Sequence, residues 1–181
     1  NESIQVLRDG KKNDLTELSL ILAGAMIYLG KKSKSLDEGI EEAIRILKSG
    51  KAFEKFIQIV KAQNGNTDFI SHPEKYPKSK FREVIKANST GFLSEVNTYD
   101  LGMAAIDLGA GRKTKDDKID PKAGIIFNCK IGGAINKGVV LAELFSDSKS
   151  GIDSAKKRIA NAIKISKSKP QKPKLIKTII N

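Results

Sequence analysis

The chain has 181 residues, 39% hydrophobic and 30% charged, which suffices for one or two domains with a sizeable core and excludes a disordered chain. Thirty-three basic residues against 21 acidic ones give a formal charge of +12, an attraction for polyanions in general. The basic residues are scattered, aromatics make up 6%, and no nucleic-acid motif is present, so a lysine-rich solvated surface is expected rather than a nucleic-acid partner.

One cysteine, Cys129, leaves no intramolecular disulfide and suits a reducing cytoplasm, which is the expected compartment. One histidine, His72, rules out a zinc site of the usual Cys/His kind. No signal peptide is visible, and the sequence opens on Asn1-Glu2-Ser3 without an initiating Met, so a fragment of a longer protein is expected.

In chain order, Ser3 to Arg8 reads as a helix end stopped by Gly10. Asp14 with Glu17 is a near capping box, and Leu15, Leu18, Leu22, Ala25, Met26 and Leu29 mark the buried face of a helix closed by Gly30. The apolar run Leu18 to Leu29 is too short to cross a bilayer, which takes about 20 such residues, so no membrane partner is expected. Ser35-Leu36-Asp37-Glu38 is a full capping box. It opens a helix that buries Ile40, Ala43, Ile44 and Leu47 and stops near Gly50. A further helix places Phe53, Phe56, Ile57 and Val60 inside and ends near Gly65. The Met and Phe positions keep helical spacing, so they read as core rather than as a cofactor site.

Asn64 to Lys80 holds two prolines and many polar residues and breaks both periodicities, which predicts a loop between domains. His72 within it lacks a visible partner or cleft for base catalysis. Phe81 to Ala87 and Phe92 to Val96 alternate as strands. Tyr99 to Arg112, YDLGMAAIDLGAGR, is a helix capped by Thr98 or Asp100, with Leu101, Ala104, Ala105 and Leu108 on one stripe. Gly109 stands where a helix end takes positive φ. The Gly109–Arg112 turn follows a helix C-terminus, where carbonyls point outward, so it reads as a structural turn rather than a phosphate loop, although Arg112 and Lys113 have the reach to contact an anion.

Gly124 to Ile131 is a strand with Ile125, Phe127, Cys129 and Ile131 on one face, which makes Cys129 a small core hydrophobe. Gly132-Gly133 and Asn136-Lys137-Gly138 are turns, and Val139 to Phe145 returns as a strand. Ile152 to Ile165 is an amphipathic helix with Ala155, Ile159, Ala162 and Ile163 inside and Lys156, Lys157 and Arg158 toward solvent. Leu175, Ile176, Ile179 and Ile180 of the basic tail are expected to dock as a strand or extended segment.

The run YDLGMAAIDLGAGR, followed by KTKDDKIDPKAGI, closely resembles the C-terminal domain of pyrimidine-nucleoside phosphorylases, the group that includes thymidine phosphorylase. NDLTEL, the SLDEG helix and SGKAFEKF resemble the same family. They also resemble anthranilate phosphoribosyltransferases, which have no counterpart of the β-rich half. The resemblance runs over nearly all 181 residues and corresponds to the last part of the family's chain, a little under half of it.

It implies an α+β fold: a helical layer over 1–65 that ends the family's central α/β domain, a linker over 66–80, and over 81–181 an α+β domain with a small, barrel-sandwich-like β-sandwich. It also implies reversible phosphorolysis of pyrimidine nucleosides with phosphate as co-substrate, and a homodimer joined through N-terminal helices. The family's catalytic and substrate groups lie in glycine- and serine-rich loops of the N-terminal half. No residue of Asn1 to Asn181 matches them, so this chain offers no catalytic, substrate or phosphate residue of its own, and the missing N-terminal part of its own chain is an expected partner. The family's potassium-binding glutamate aligns with Gln5, whose amide oxygen can ligate a hard cation but brings no charge. KIGGAINKGVVLAELFS also resembles half of a biotinyl or lipoyl carrier domain. Lys137, the lysine available for such chemistry, has the wrong neighbours for it. A non-catalytic carrier or binding module and a phosphoribosyltransferase relative stand as the alternatives.

Overall fold

A computed structural model describes residues 2–180. The chain divides into two compact units, one of residues 2–76 with 174–180 and one of residues 77–173.

The first unit is helical. It contains α1 (Glu2–Asp9), α2 (Asp14–Leu29), α3 (Leu36–Lys48), α4 (Lys51–Ala62) and the short α5 (Asp68–Ser71), which a 3-10 turn over Pro73–Lys75 follows. The caps explain the boundaries. Asn13, not Asp14, caps α2, its side chain accepting from the Thr16 amide at 2.9 Å. Ser35 caps α3 by accepting from the Glu38 amide, while Glu38 accepts from the Lys34 amide. Gly50, at φ +78°, turns the chain from α3 into α4.

Helices α2 and α3 cross backbone to backbone at Gly24 and Gly39. A Cβ on Gly24 would lie 2.5 Å from Ile40 Cγ1, and one on Gly39 would overlap the Gly24 carbonyl. The face of α2 that meets α3 is therefore the Gly24 face. This corrects the buried stripe expected from spacing: Leu15, Leu22, Met26 and Leu29 are exposed on the other side. The sequence segment expected as a plain loop also carries α5, since Asp68–Ser71 closes one helical turn on Thr67. The tail forms no strand. Ile176 is half-buried, while Leu175, Ile179 and Ile180 are exposed.

The second unit is α+β. Its elements are β1 (Phe81–Lys86), β2 (Gly91–Val96), α6 (Thr98–Leu108), β3 (Gly124–Phe127), β4 (Ala134–Ile135), β5 (Val140–Ser146), α7 (Lys149–Ala162) and β6 (Ile163–Ser166). Two antiparallel three-stranded sheets form, in the orders β1-β5-β3 and β4-β2-β6. Strand β5 is buried on both faces. Leu144 joins Ala104 and Leu108 of α6 and Ile152, Ala155 and Ile159 of α7 in one core. Leu141 joins Ala87, Leu93 and Ile135 in a second core between the sheets. The unit is thus a helix pair laid on a small β-sandwich. Each fully buried Leu or Ile contributes about 1.5–3 kcal/mol.

Four features differ from the sequence expectation. The strand starting at Gly124 ends at Phe127, after which the Asn128 amide still reaches the Leu141 carbonyl at 2.8 Å. Ala134–Ile135 forms the short β4, which pairs with β2. Helix α7 stops at Ala162, and Ile163–Ser166 becomes a strand on β2, because Ile163 and Ile165 alternate with polar residues at period two. The N-cap of α6 is Asn97 rather than Thr98 or Asp100, its side chain accepting from the Asp100 amide. Among the described residues no helix is long and apolar enough to cross a membrane.

The glycine crossing is testable. Gly39→Ala should destabilise the helical unit by about 1–3 kcal/mol through overpacking. Gly102→Ala, where a Cβ meets nothing within 4 Å, should leave stability unchanged or raised. Denaturant midpoints followed by helical circular dichroism compare the two; equal shifts would contradict the crossing.

Candidate functional site

The signature stretch occupies α6 and the turn that leaves it. Gly109 has φ +101°, the left-handed conformation that ends the helix. A Cβ on Gly111 would lie 2.8 Å from Ile106 Cγ1, so the returning backbone lies flat on the helix. Beyond it, Asp117 accepts from the amides of Lys113 and Thr114 at 2.8 and 3.0 Å and from the Thr114 hydroxyl at 2.8 Å. These three bonds hold the carboxyl of Asp117 below its usual range, the Thr114 side chain being the largest cause. The Asp120 amide then donates to the Gly109 carbonyl at 2.9 Å. A helix end that would otherwise carry free carbonyls is closed by its own downstream loop.

Helices α6 and α7 meet beside this loop. A Cβ on Gly151 would lie 2.5 Å from the Asp107 carbonyl, so only glycine fits there. Ser148 caps α7 through the Gly151 amide at 3.1 Å. Ser146, fully buried, donates from its hydroxyl to the Leu108 carbonyl at 2.6 Å and accepts from the Ser148 amide at 3.0 Å. Asp107, with its side chain 7% exposed, pairs with Lys113 Nζ at 2.7 Å and Arg158 Nε at 3.1 Å. Arg158 also reaches Asp100 at 3.3 Å. Arg158 is therefore not turned to solvent as its helical position suggests, and Lys156 is likewise drawn to Glu83 at 3.3 Å. Lys113, one of the two cations with reach to an anion, is already spent on Asp107. Each polar group named here is matched within the protein, so the turn acts as a structural clamp.

The remaining sequence candidates lie apart from one another. Gln5 Oε1 accepts from Lys11 Nζ at 2.8 Å, which sets a positive charge beside the one ligand atom expected for potassium. Among the described residues no group of three or more His, Cys, Asp or Glu side chains is placed to hold a metal. His72 lies half-exposed between Asp68 and Glu74, 3.8 and 3.4 Å away. Cys129 is half-buried, its thiol donates to the Leu141 carbonyl at 3.3 Å, and burial pushes its pKa up, as for an unreactive core thiol. Lys137 lies in the turn between β4 and β5, which belong to different sheets, and its amide donates to Thr90 Oγ1 at 3.0 Å. This is not the hairpin tip that carries a swinging arm.

A cleft of about 470 Å³ opens beside Ile85, Lys86, Asn88, Leu141 and Lys164. No carboxylate, imidazole or thiol lines it, and Lys164 is paired with Glu95 at 2.8 Å. The groups that shape this unit, Asp107, Ser146 and Arg158, were missed by sequence reasoning. The available signal was the position of Asp100 and Asp107 seven residues apart on one side of α6.

The Asp107 cluster sets a pH dependence. Hydrogen bonding to Lys113, then to Arg158, holds the Asp107 carboxyl below its ordinary range. A depressed folded pKa stabilises above the unfolded value of about 3.9, and that stability is lost as pH falls through the folded value. Asp107→Asn should cost about 1.5–3 kcal/mol at pH 7, the usual worth of a charged hydrogen bond. It should also flatten the loss of stability below about pH 4. Thermal midpoints from pH 7 to pH 3 check this; parallel curves for the variant and the parent would contradict it.

Residues 92–166 match the family described as Pyrimidine nucleoside phosphorylase C-terminal domain. The chain is 37% identical over 179 residues to a pyrimidine-nucleoside phosphorylase of Staphylococcus epidermidis, covering 99% of this chain and 41% of that protein. It is 35% identical over 179 residues to the Bacillus subtilis pyrimidine-nucleoside phosphorylase, again covering 99% of this chain and 41% of the relative. A Staphylococcus aureus relative of the same name is 37% identical over 164 residues, or 91% of this chain and 38% of its own. The chain thus spans about two fifths of the length of the curated relatives it matches. The clamp between α6 and α7 and both sheets lie within or beside the matched segment, and the chain corresponds to the C-terminal part of the pyrimidine-nucleoside phosphorylase family.

Proposed function

We propose that this chain is the C-terminal part of a pyrimidine-nucleoside phosphorylase, a pentosyltransferase of pyrimidine nucleoside salvage in the cytoplasm that works as a homodimer. In the complete protein, inorganic phosphate attacks the anomeric carbon of a pyrimidine nucleoside. The carbon–phosphate oxygen bond forms as the glycosidic carbon–nitrogen bond breaks, and the base leaves with the bonding pair. The products are the free base and a sugar 1-phosphate. Such a reaction needs cations and hydroxyls that hold phosphate and stabilise the departing base, and it needs no covalent nucleophile.

The observation that carries this reading is similarity along 99% of the chain to proteins named for that activity. The site geometry supports the division of labour. Lys113 and Arg158 are paired with Asp107, and the lining of the cleft offers no acid–base pair. This chain then contributes scaffold and the accessory α+β domain, while catalytic, phosphate and base-binding groups belong to the preceding part. Any structural potassium ion of the complete protein would draw its ligands there too, since Gln5 is engaged by Lys11.

Residues 1–181 alone should release no measurable base from thymidine or uridine with phosphate. The same residues fused behind the preceding part of the Bacillus subtilis relative should do so. Turnover by the lone chain comparable to that of an intact relative would overturn the placement of the active site. A monodisperse but inactive fusion would overturn the phosphorylase reading.

A further inference from the structure

We propose that the outer face of α2, with the apolar groove beside it, is the surface on which the preceding part of the same protein docks. This deepens the reading above and rests on it.

Helix α2 confines its polar residues to its first two turns, Asp14, Thr16, Glu17 and Ser19, and carries no charged side chain from Leu20 to Leu29. Successive residues turn by about 100°, so Leu15, Leu22, Met26 and Leu29 lie within about 40° of the direction opposite Gly24. Gly24 is the side pressed onto α3. The outer residues are 38, 55, 75 and 77% exposed. They repeat at intervals of seven, four and three residues, the seam spacing of a helix that is covered along its length. A helical stretch as apolar as Leu20–Leu29 belongs inside a larger body, and here one side of it is bare. Scattered exposed apolar residues are ordinary; three leucines and a methionine on one stripe of one helix, interrupted by Ser19, are a patch.

The flank of this stripe is concave. Val6 and Leu7 of α1, Leu20 and Ile27 of α2, and Ile46 and Leu47 of α3 line a groove of about 350 Å³ whose walls are almost wholly apolar. That volume takes several side chains; Thr16 and Ser19 are the polar residues of its lining, and the Thr16 hydroxyl is already bonded to the Lys11 carbonyl. The occupant that fits is an apolar segment of protein. The relatives supply its source: this chain accounts for 41% of their length, and it corresponds to their C-terminal part. Helix α1, which lines the groove, is the element that such a segment would join.

Thiol protection tests the assignment. Leu22→Cys is placed in a Cys129→Ala background, both in residues 1–181 alone and in the fusion to the preceding part of the Bacillus subtilis relative. N-ethylmaleimide should modify Cys-substituted position 22 freely in the lone chain and at least 100-fold more slowly in the fusion. Glu41→Cys, on an exposed polar position of α3, should react alike in both. Amide hydrogen exchange over residues 14–29 of the unsubstituted proteins gives the same comparison if a variant fails to fold. Equal rates in lone chain and fusion would overturn the proposal. So would concentration-dependent protection in the lone chain, which would make a second copy the occupant. Assaying the fusion separates the two readings. Protection without phosphorolysis keeps the docking surface and removes the phosphorylase, and phosphorolysis without protection does the reverse.

Discussion

The second unit depends on how closely α6 and α7 approach at Gly151. With no side chain there, the Asp107 carbonyl sits against the first turn of α7, and the two helices share one apolar seam of Ala104, Leu108, Ile152, Ala155 and Ile159. The alanines set the spacing and the larger residues fill it. Ser146 then ties this helix pair to the end of β5, because its buried hydroxyl satisfies the Leu108 carbonyl and the Ser148 amide at once. A buried hydroxyl left unmatched would be costly; matched on both sides it fixes a unique arrangement of strand, turn and helix.

The first unit obeys a similar rule with a different outcome. Gly24 and Gly39 let α2 and α3 touch backbone to backbone. The glycine face is narrow and satisfied, so the larger side chains of α2 are left on the side away from α3. The clamp around Asp107 and the bare stripe of α2 are therefore complementary findings. In one unit the buried polar groups at the helix crossing, Asp107 and Ser146, are matched internally, whereas in the other a row of large apolar side chains is exposed.

Much of this was legible in the sequence. Ser35 announced α3, Gly109 announced the end of α6, and the alternation in Phe81–Ala87 announced a strand, because each signal is local and has a single physical reading. The direction of α2 was not legible. Its apolar residues point every way, so period alone could not choose between the Gly24 face and the leucine face, and the larger residues were favoured. Ile163 fitted the inner face of α7 at period 3.6 as well as a strand at period two, and pairing with β2 decided it. Arg158 was unreadable for another reason: its partners Asp100 and Asp107 lie some fifty residues earlier in the chain. The hydrogen bond from Lys11 to Gln5 was not legible either, since nothing in the spacing of the two residues announces it.

The position of β5 at the centre of its sheet has a consequence for how the chain acquires its structure. Its partner β1 pairs Phe81 with Ser146, a span of about 65 residues, and β6 cannot meet β2 until Ser166 has been made. Contacts of such long sequence separation slow the search for the native state, because loop closure must precede the reward. The helices of 2–62 rest on near-neighbour contacts and can settle while the rest of the chain is still emerging from the ribosome. The helical unit can therefore take shape before the sandwich closes.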